Sequence, residues 1–246
     1  MSEDRNASDI PVPPIDAELE VLLEAEHVRI IYRHAFFVFL TNVSASLILV
    51  YGMAGVVPMS SLVSWLAVML VFNTTRYFLA RRVLAIPLDA EKAMFWNRVY
   101  LMSVAVSGLL WGAAAYLFYV PDPPVHGMFV ALILTAIGSA SVAHLSFQRH
   151  AYPLFVVLVA APLSFRLLQE GGALNTMLGA LVPFYFAMLY LLSSQIFRFT
   201  QMSLTSEIRS TKQAMDAFVE GEELFHSLAQ ITPDAVVMLD NDGKIK

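Results

Sequence analysis

His34, His144 and His150 lie at a similar distance from the ends of long apolar runs, and imidazoles at one depth are a usual way to hold haem or a metal ion in a chain without cysteine. No run offers a second histidine one or two turns away, so the three are weak metal-ligand candidates, and interfacial histidines are far commoner than such sites. A second constellation joins Arg166 to Trp111, Tyr116 and His126, a cation with aromatic walls that suits a small amphipathic or anionic ligand. Asn73 and Ser107, with Asn42 and Ser103, are polar groups inside apolar stretches. Such groups are costly to bury and often mark a ligand cavity in a membrane protein. The candidate ligand-binding set is therefore Arg166, Trp111, Tyr116, His126, Asn73 and Ser107, with the cofactor left unknown.

Catalytic patterns are absent: there is no Gly-rich phosphate loop, no HExxH, no GxSxG and no Cys nucleophile. The expectation is that these residues form no enzyme. No Asp, Glu or Lys falls in the middle of an apolar run, which removes the usual parts of a proton relay or ion-coupled carrier. Arg76 lies within a turn of its run's end and is expected to snorkel outward as a topology anchor.

The elements that must position these residues are membrane helices. Hydrophobic residues make up 58% of the chain and charged ones 14%, against about 45–50% and about 25% in soluble domains. Mean hydropathy is +0.65. The net charge of −5 comes from acids gathered in the two ends, and no basic patch supports nucleic-acid binding. A helix needs about 20 apolar residues to cross about 30 Å of hydrocarbon. Runs of that kind predict spans over Ala35 to Val57, Met59 to Leu79, Tyr100 to Tyr119, His126 to Leu145, Ala151 to Leu168 and Leu174 to Ile196. Pro58, the segment from Ala80 to Val99, the Val120 to Pro124 turn, Ser146 to His150 and Glu170 to Gly172 separate them. The predicted fold is all-α, a bundle of six transmembrane helices.

Placing both termini in the cytoplasm puts Arg29, Arg33, Arg76, Arg81, Arg82, Lys92, Arg98, Arg149, Arg198, Arg209 and Lys212 inside and leaves only Arg166 outside. The expected location is a membrane crossed several times, with both ends on its cytoplasmic side. Residues 1–34 form a polar segment whose second half, from Asp16, is expected to be an interfacial helix. Trp65, Trp111, Tyr51, Tyr116 and Tyr119 stand where an outer aromatic belt is expected, an alternative to the pocket. Gly108 and Gly112 form a GxxxG. Gly127, Ala131, Thr135, Ser139 and Ala143 recur every four residues, and both sets read as helix-packing faces.

After the sixth span polarity returns. Leu204, Ile208, Thr211, Met215, Phe218, Glu222, Phe225 and Ala229 follow alternating four- and three-residue steps, the spacing of a coiled-coil seam with polar interruptions. Residues 197–230 thus predict an exit helix, either a parallel dimer seam or one amphipathic helix on its own domain. Leu224 to Ile245 then give a helix ending before Pro233, a strand from Ala235 to Leu239, an Asn241-Asp242-Gly243 turn and a second strand. This stretch resembles the opening of a PAS domain, with its Thr232-Pro233-Asp234-Ala235 step. Residues 231–246 then correspond to its first hairpin. The layout is similar to the membrane-embedded sensor regions of bacterial multidomain signalling proteins, with weak support from Glu26 to Arg33 and from Gly108 to Gly112. That resemblance implies a chain that is the first part of a longer protein, a homodimer in the lipid bilayer that senses an unidentified small molecule. It also implies an output module of cyclic di-GMP turnover or histidine kinase type. A small transporter or channel and a passive anchor are the competing expectations.

Overall fold

In the computed structural model the described residues are 17–231, all-helical apart from short connections and one isolated bridge between Ala54 and Val57. The helices are α1 (Ala17–Arg33), α2 (Ala35–Met53), α3 (Met59–Ala85), α4 (Ala90–Phe118), α5 (Pro124–Leu145), α6 (Ala151–Glu170) and α7 (Gly172–Ile231). Six stretches are long and apolar enough to cross a membrane, the make-up of a multi-pass membrane protein: Leu23–Met53, Met59–Ala85, Glu91–Phe118, Pro124–Leu145, Ala151–Glu170 and Gly172–Glu223. The hairpin expected over 235–245 lies outside the described residues.

The helix ends depart from the hydropathy limits wherever local chemistry allows helix to continue past the apolar run. Residues 80–99, expected as a separator, are mostly helical, because Ala80, Arg81, Arg82, Val83 and Leu84 are compatible with helix and extend α3 to Ala85. Pro87 cannot continue the ladder. Asp89 then caps α4, its side chain accepting the Lys92 backbone N–H at 2.9 Å. At the other end of the bundle α6 stops at Gly171, whose φ of 68° lies in the left-handed region that glycine tolerates.

Helices in lipid gain nothing from burying one apolar surface on another that lipid would cover equally well, so they pack by close backbone approach. α4 packs most extensively on α6. The GxxxG pair explains why: Gly108 faces Leu158 and the Phe155 carbonyl, and Gly112 faces the Leu158 carbonyl and Pro162. Gly138, on the adjoining face of α5, receives the Phe186 ring of α7. Ser139 bonds the Tyr185 hydroxyl at 2.8 Å, and Ser146 donates to Ser193 at 2.8 Å. α1 lays Val28, Ile31 and Tyr32 against α3 and α4 while Arg29 and Arg33 stay exposed, an i, i+3, i+4 stripe at work.

The chain divides into two compact units, Met1–Gln201 and Met202–Lys246. In the second, Leu204 is buried, Ile208 is half-buried, and Met215, Phe218 and Glu222 are exposed. α7 runs without interruption through residue 197, where the sequence changes from apolar span to polar exit helix. A polar sequence with strong helix formers continues the ladder as readily as an apolar one.

Candidate functional site

Polar groups inside the bundle form a column contributed by α1, α2, α3, α4 and α5. At one end Trp65 and Trp111 meet edge to face, with ring centroids 5.4 Å apart, and Phe118 closes on Trp65 at the same distance. Both indoles are buried and both N–H groups are satisfied: Trp65 donates to the Leu110 carbonyl at 2.9 Å and Trp111 to Asn42 Oδ1 at 2.8 Å. Asn42 is fixed in turn, since its Nδ2 donates to the Val38 carbonyl. The indoles are therefore core groups and not the aromatic belt expected from their place in the sequence. Tyr51, 86% exposed, does face outward. Composition places an aromatic near a helix end, but only packing decides which face of the helix carries it.

Toward the end that carries Arg81 and Arg82, the column holds Ser107, Ser141, His144, Arg76, Tyr100, Tyr32 and Asn73. Arg76 sets its guanidinium carbon 5.5 Å from the centre of the Tyr100 ring, a cation–π geometry. Tyr100 meets Tyr32 edge to face at 5.8 Å, and Tyr32 donates to the Trp96 carbonyl at 2.9 Å. Arg76 lines two small cavities. One of about 20 Å³ lies among Tyr32, Asn73, Tyr77 and Tyr100, and one of about 10 Å³ among Asn42, Ser107, Ser141 and His144. The expectation that Arg76 snorkels outward as an anchor thus gives way to a cation turned into the bundle. The Tyr100 face stabilises it there, a contact that no hydropathy scan registers.

Arg166 stands in a separate cluster with Tyr116 and Tyr119. It forms an ion pair with Glu170, and its guanidinium carbon lies 5.9 Å from the Tyr116 ring centre and 5.6 Å from that of Tyr119. The two hydroxyls are also occupied, Tyr116 donating to Gln169 and Tyr119 to Asn175, each at 3.1 Å. The cation already has a carboxylate and two aromatic partners.

The candidate ligand set thus divides. Arg166 and Tyr116 come together, Trp111, Ser107 and Asn73 belong to the buried column, and His126 follows the Val120 to Pro124 turn with its Nδ1 buried and unpartnered. Asn73 donates to the Met69 carbonyl of its own helix at 2.9 Å and lines the larger cavity beside Arg76. The three histidines are not assembled. His34 is exposed and stacks on Phe147, His150 is exposed at the start of α6, and His144 is buried in the column. Among the described residues no group of three His, Asp or Glu could hold a metal ion.

Sequence reasoning missed Tyr32 and Tyr100, whose depth looked interfacial. The usable signal was their co-occurrence with Arg76 at the same end of three helices. No protein-family model, curated protein or solved structure matches this chain.

Proposed function

We propose that this chain is the membrane-embedded input module of a signalling protein. The bundle responds to a membrane-soluble or outer-side cue, and α7 relays a change in packing to a PAS-like segment and an output domain. The observation that carries the proposal is α7 itself, one helix over Gly172–Ile231 that begins apolar and ends polar. In its polar part Met215 and Phe218 remain exposed at coiled-coil spacing. A helix of that kind needs a partner for its apolar positions, and a second copy supplies one by symmetry. Both termini are cytoplasmic in this proposal, in keeping with the arginine and lysine distribution.

A relay also needs two packings of similar energy that the cue binds unequally, because equal affinity shifts nothing. Disulfide formation in native membranes tests the proposal. Single cysteines replacing Ile208 and Met215 are expected to crosslink two chains much faster than one replacing the exposed Ser210. Equal rates at the three positions, or none at any, would refute a dimeric relay helix.

A further inference from the structure

The smaller cavity beside Arg76 sets a cation among neutral polar groups, with no described carboxylate in its wall. Its polar lining comprises Asn42, Arg76, Ser107, Ser141 and His144, and Val104, Leu145 and Phe155 close it. Two of these groups already make hydrogen bonds inside the bundle. Asn42 Oδ1 takes the Trp111 N–H, and the Ser141 hydroxyl is turned to the Ile137 carbonyl. The donors still open on this wall are the Arg76 N–H groups, the second Nδ2 hydrogen of Asn42, the Ser107 hydroxyl and an imidazole N–H.

His144 supplies the observation that points to an occupant. It is 7% exposed, and beyond a marginal approach to the Ala140 carbonyl its Nδ1 has no hydrogen-bond partner. A buried imidazole nitrogen without a partner is costly, and the His144 side chain borders the same small space as a guanidinium. No described carboxylate lines either cavity that Arg76 borders, so the cation has a π-face for company and no counter-charge. A cavity of about 10 Å³ has room for one water-sized particle.

We propose that this cavity is a binding site for a monovalent anion of halide size, held by Arg76, His144, Asn42 and Ser107. The anion neutralises the guanidinium inside the bundle and ties α2, α3, α4 and α5 together at one point. The site does not depend on the relay role of α7.

The test uses the whole chain in detergent or nanodiscs, with gluconate exchanged for chloride or bromide at constant ionic strength and unfolding followed by tryptophan fluorescence. Wild-type protein is expected to show a saturable rise in Tm with either halide and none with sulfate, which the cavity is too small to admit. Arg76→Gln is expected to abolish the rise, and Ser141→Ala, whose hydroxyl is committed elsewhere, to keep it. Should Arg76→Gln not fold, Ser107→Ala decides the matter: its halide midpoint is expected about tenfold weaker, the loss of one hydrogen bond to a charge. A wild-type Tm indifferent to halide, a full halide response in folded Arg76→Gln, or an unchanged midpoint in Ser107→Ala would mean that the cavity holds only water.

Discussion

Gly112 of α4 lies directly against the backbone carbonyl of Leu158 in α6, and a Cβ at that position would overlap the oxygen. The contact has a cause in α6. Pro162 has no N–H, so the Leu158 carbonyl lacks the donor four residues on that an ordinary helix would supply. The bare Cα of Gly112 comes close to that exposed oxygen, where its C–H groups offer a weak hydrogen bond. Gly112→Ala is expected to lower stability by about 1–3 kcal/mol and Gly112→Leu to prevent assembly, because the obstacle is backbone and cannot rotate away. Leu109, 57% exposed, is the control, and Leu109→Ile should change thermal unfolding in detergent little. Comparable melting of Gly112→Leu and Leu109→Ile would show that the α4–α6 contact is absent in the membrane.

The Trp111–Asn42 bond invites a double-mutant cycle. Asn42→Leu strands a buried indole N–H and is expected to cost about 1–3 kcal/mol. Trp111→Phe strands the amide oxygen in its turn and also loses packing against Trp65. Removing both partners leaves neither unsatisfied, so the double variant should be more stable than the sum of the single losses allows. Additive losses would mean that the hydrogen bond is not formed. Unfolding followed by far-ultraviolet circular dichroism checks this without depending on the tryptophans removed.

Spans were legible in the sequence because hydrocarbon imposes a length and an apolarity on every helix, and Met59, Ala151 and Leu145 mark real ends. Facing was not, because the stripes that choose a neighbour are subtle when both lipid and protein are apolar. Trp111 shows this: its type and position fit an interfacial belt as well as a core, and only its approach to Asn42 tells them apart. Gly108 and Gly112 announced a close contact without naming α6 as the partner. Arg166 and Glu170, four residues apart on one helix, have the spacing of the ion pair they form, although the expected partner of Arg166 was an anionic ligand. His144 stood out only as one of three histidines at one depth; its cavity was not legible, since the wall around it is built from helices distant in sequence.

Asp89 gives a pH-dependent prediction at the start of α4. The Lys92 side chain, and then its backbone N–H, hydrogen-bond the carboxylate and hold its pKa below the usual range. A carboxyl lowered in the folded state stabilises the fold above its unfolded pKa, and the contribution is lost as pH falls through the lower folded value. Asp89→Asn keeps an acceptor for the cap but gives up the ion pair. Wild type should therefore melt slightly above Asp89→Asn at pH 7, and the two curves should converge at acid pH. A gap that persists unchanged below the carboxylate range would assign the stabilisation to something other than the charged cap.

The last prediction concerns Glu222, exposed in the polar part of α7 at a seam position of the proposed dimer helix. Opposite its own copy in a parallel pair, a carboxylate meets a like charge in partly dried surroundings, which weakens the seam at that layer. Phe218 and Met215, one and two turns earlier on the helix, are apolar and exposed, so they would hold the two helices where Glu222 loosens them. A seam strong on one side of a weak layer has two packings of similar energy, which a relay requires. Glu222→Leu is expected to remove the weak layer, tighten the dimer and fix any attached output in one state. Exposed Ser210, whose hydroxyl bonds the Glu207 carbonyl, lies off the seam, and Ser210→Ala should do neither. Sedimentation of the detergent-solubilised chain reads the first effect, through a dimer fraction that persists at lower protein concentration in Glu222→Leu than in wild type. A dimer fraction that falls in Glu222→Leu would mean that Glu222 meets a cation and not its own copy, and the two-fold register over Leu204 to Phe225 would have to be abandoned.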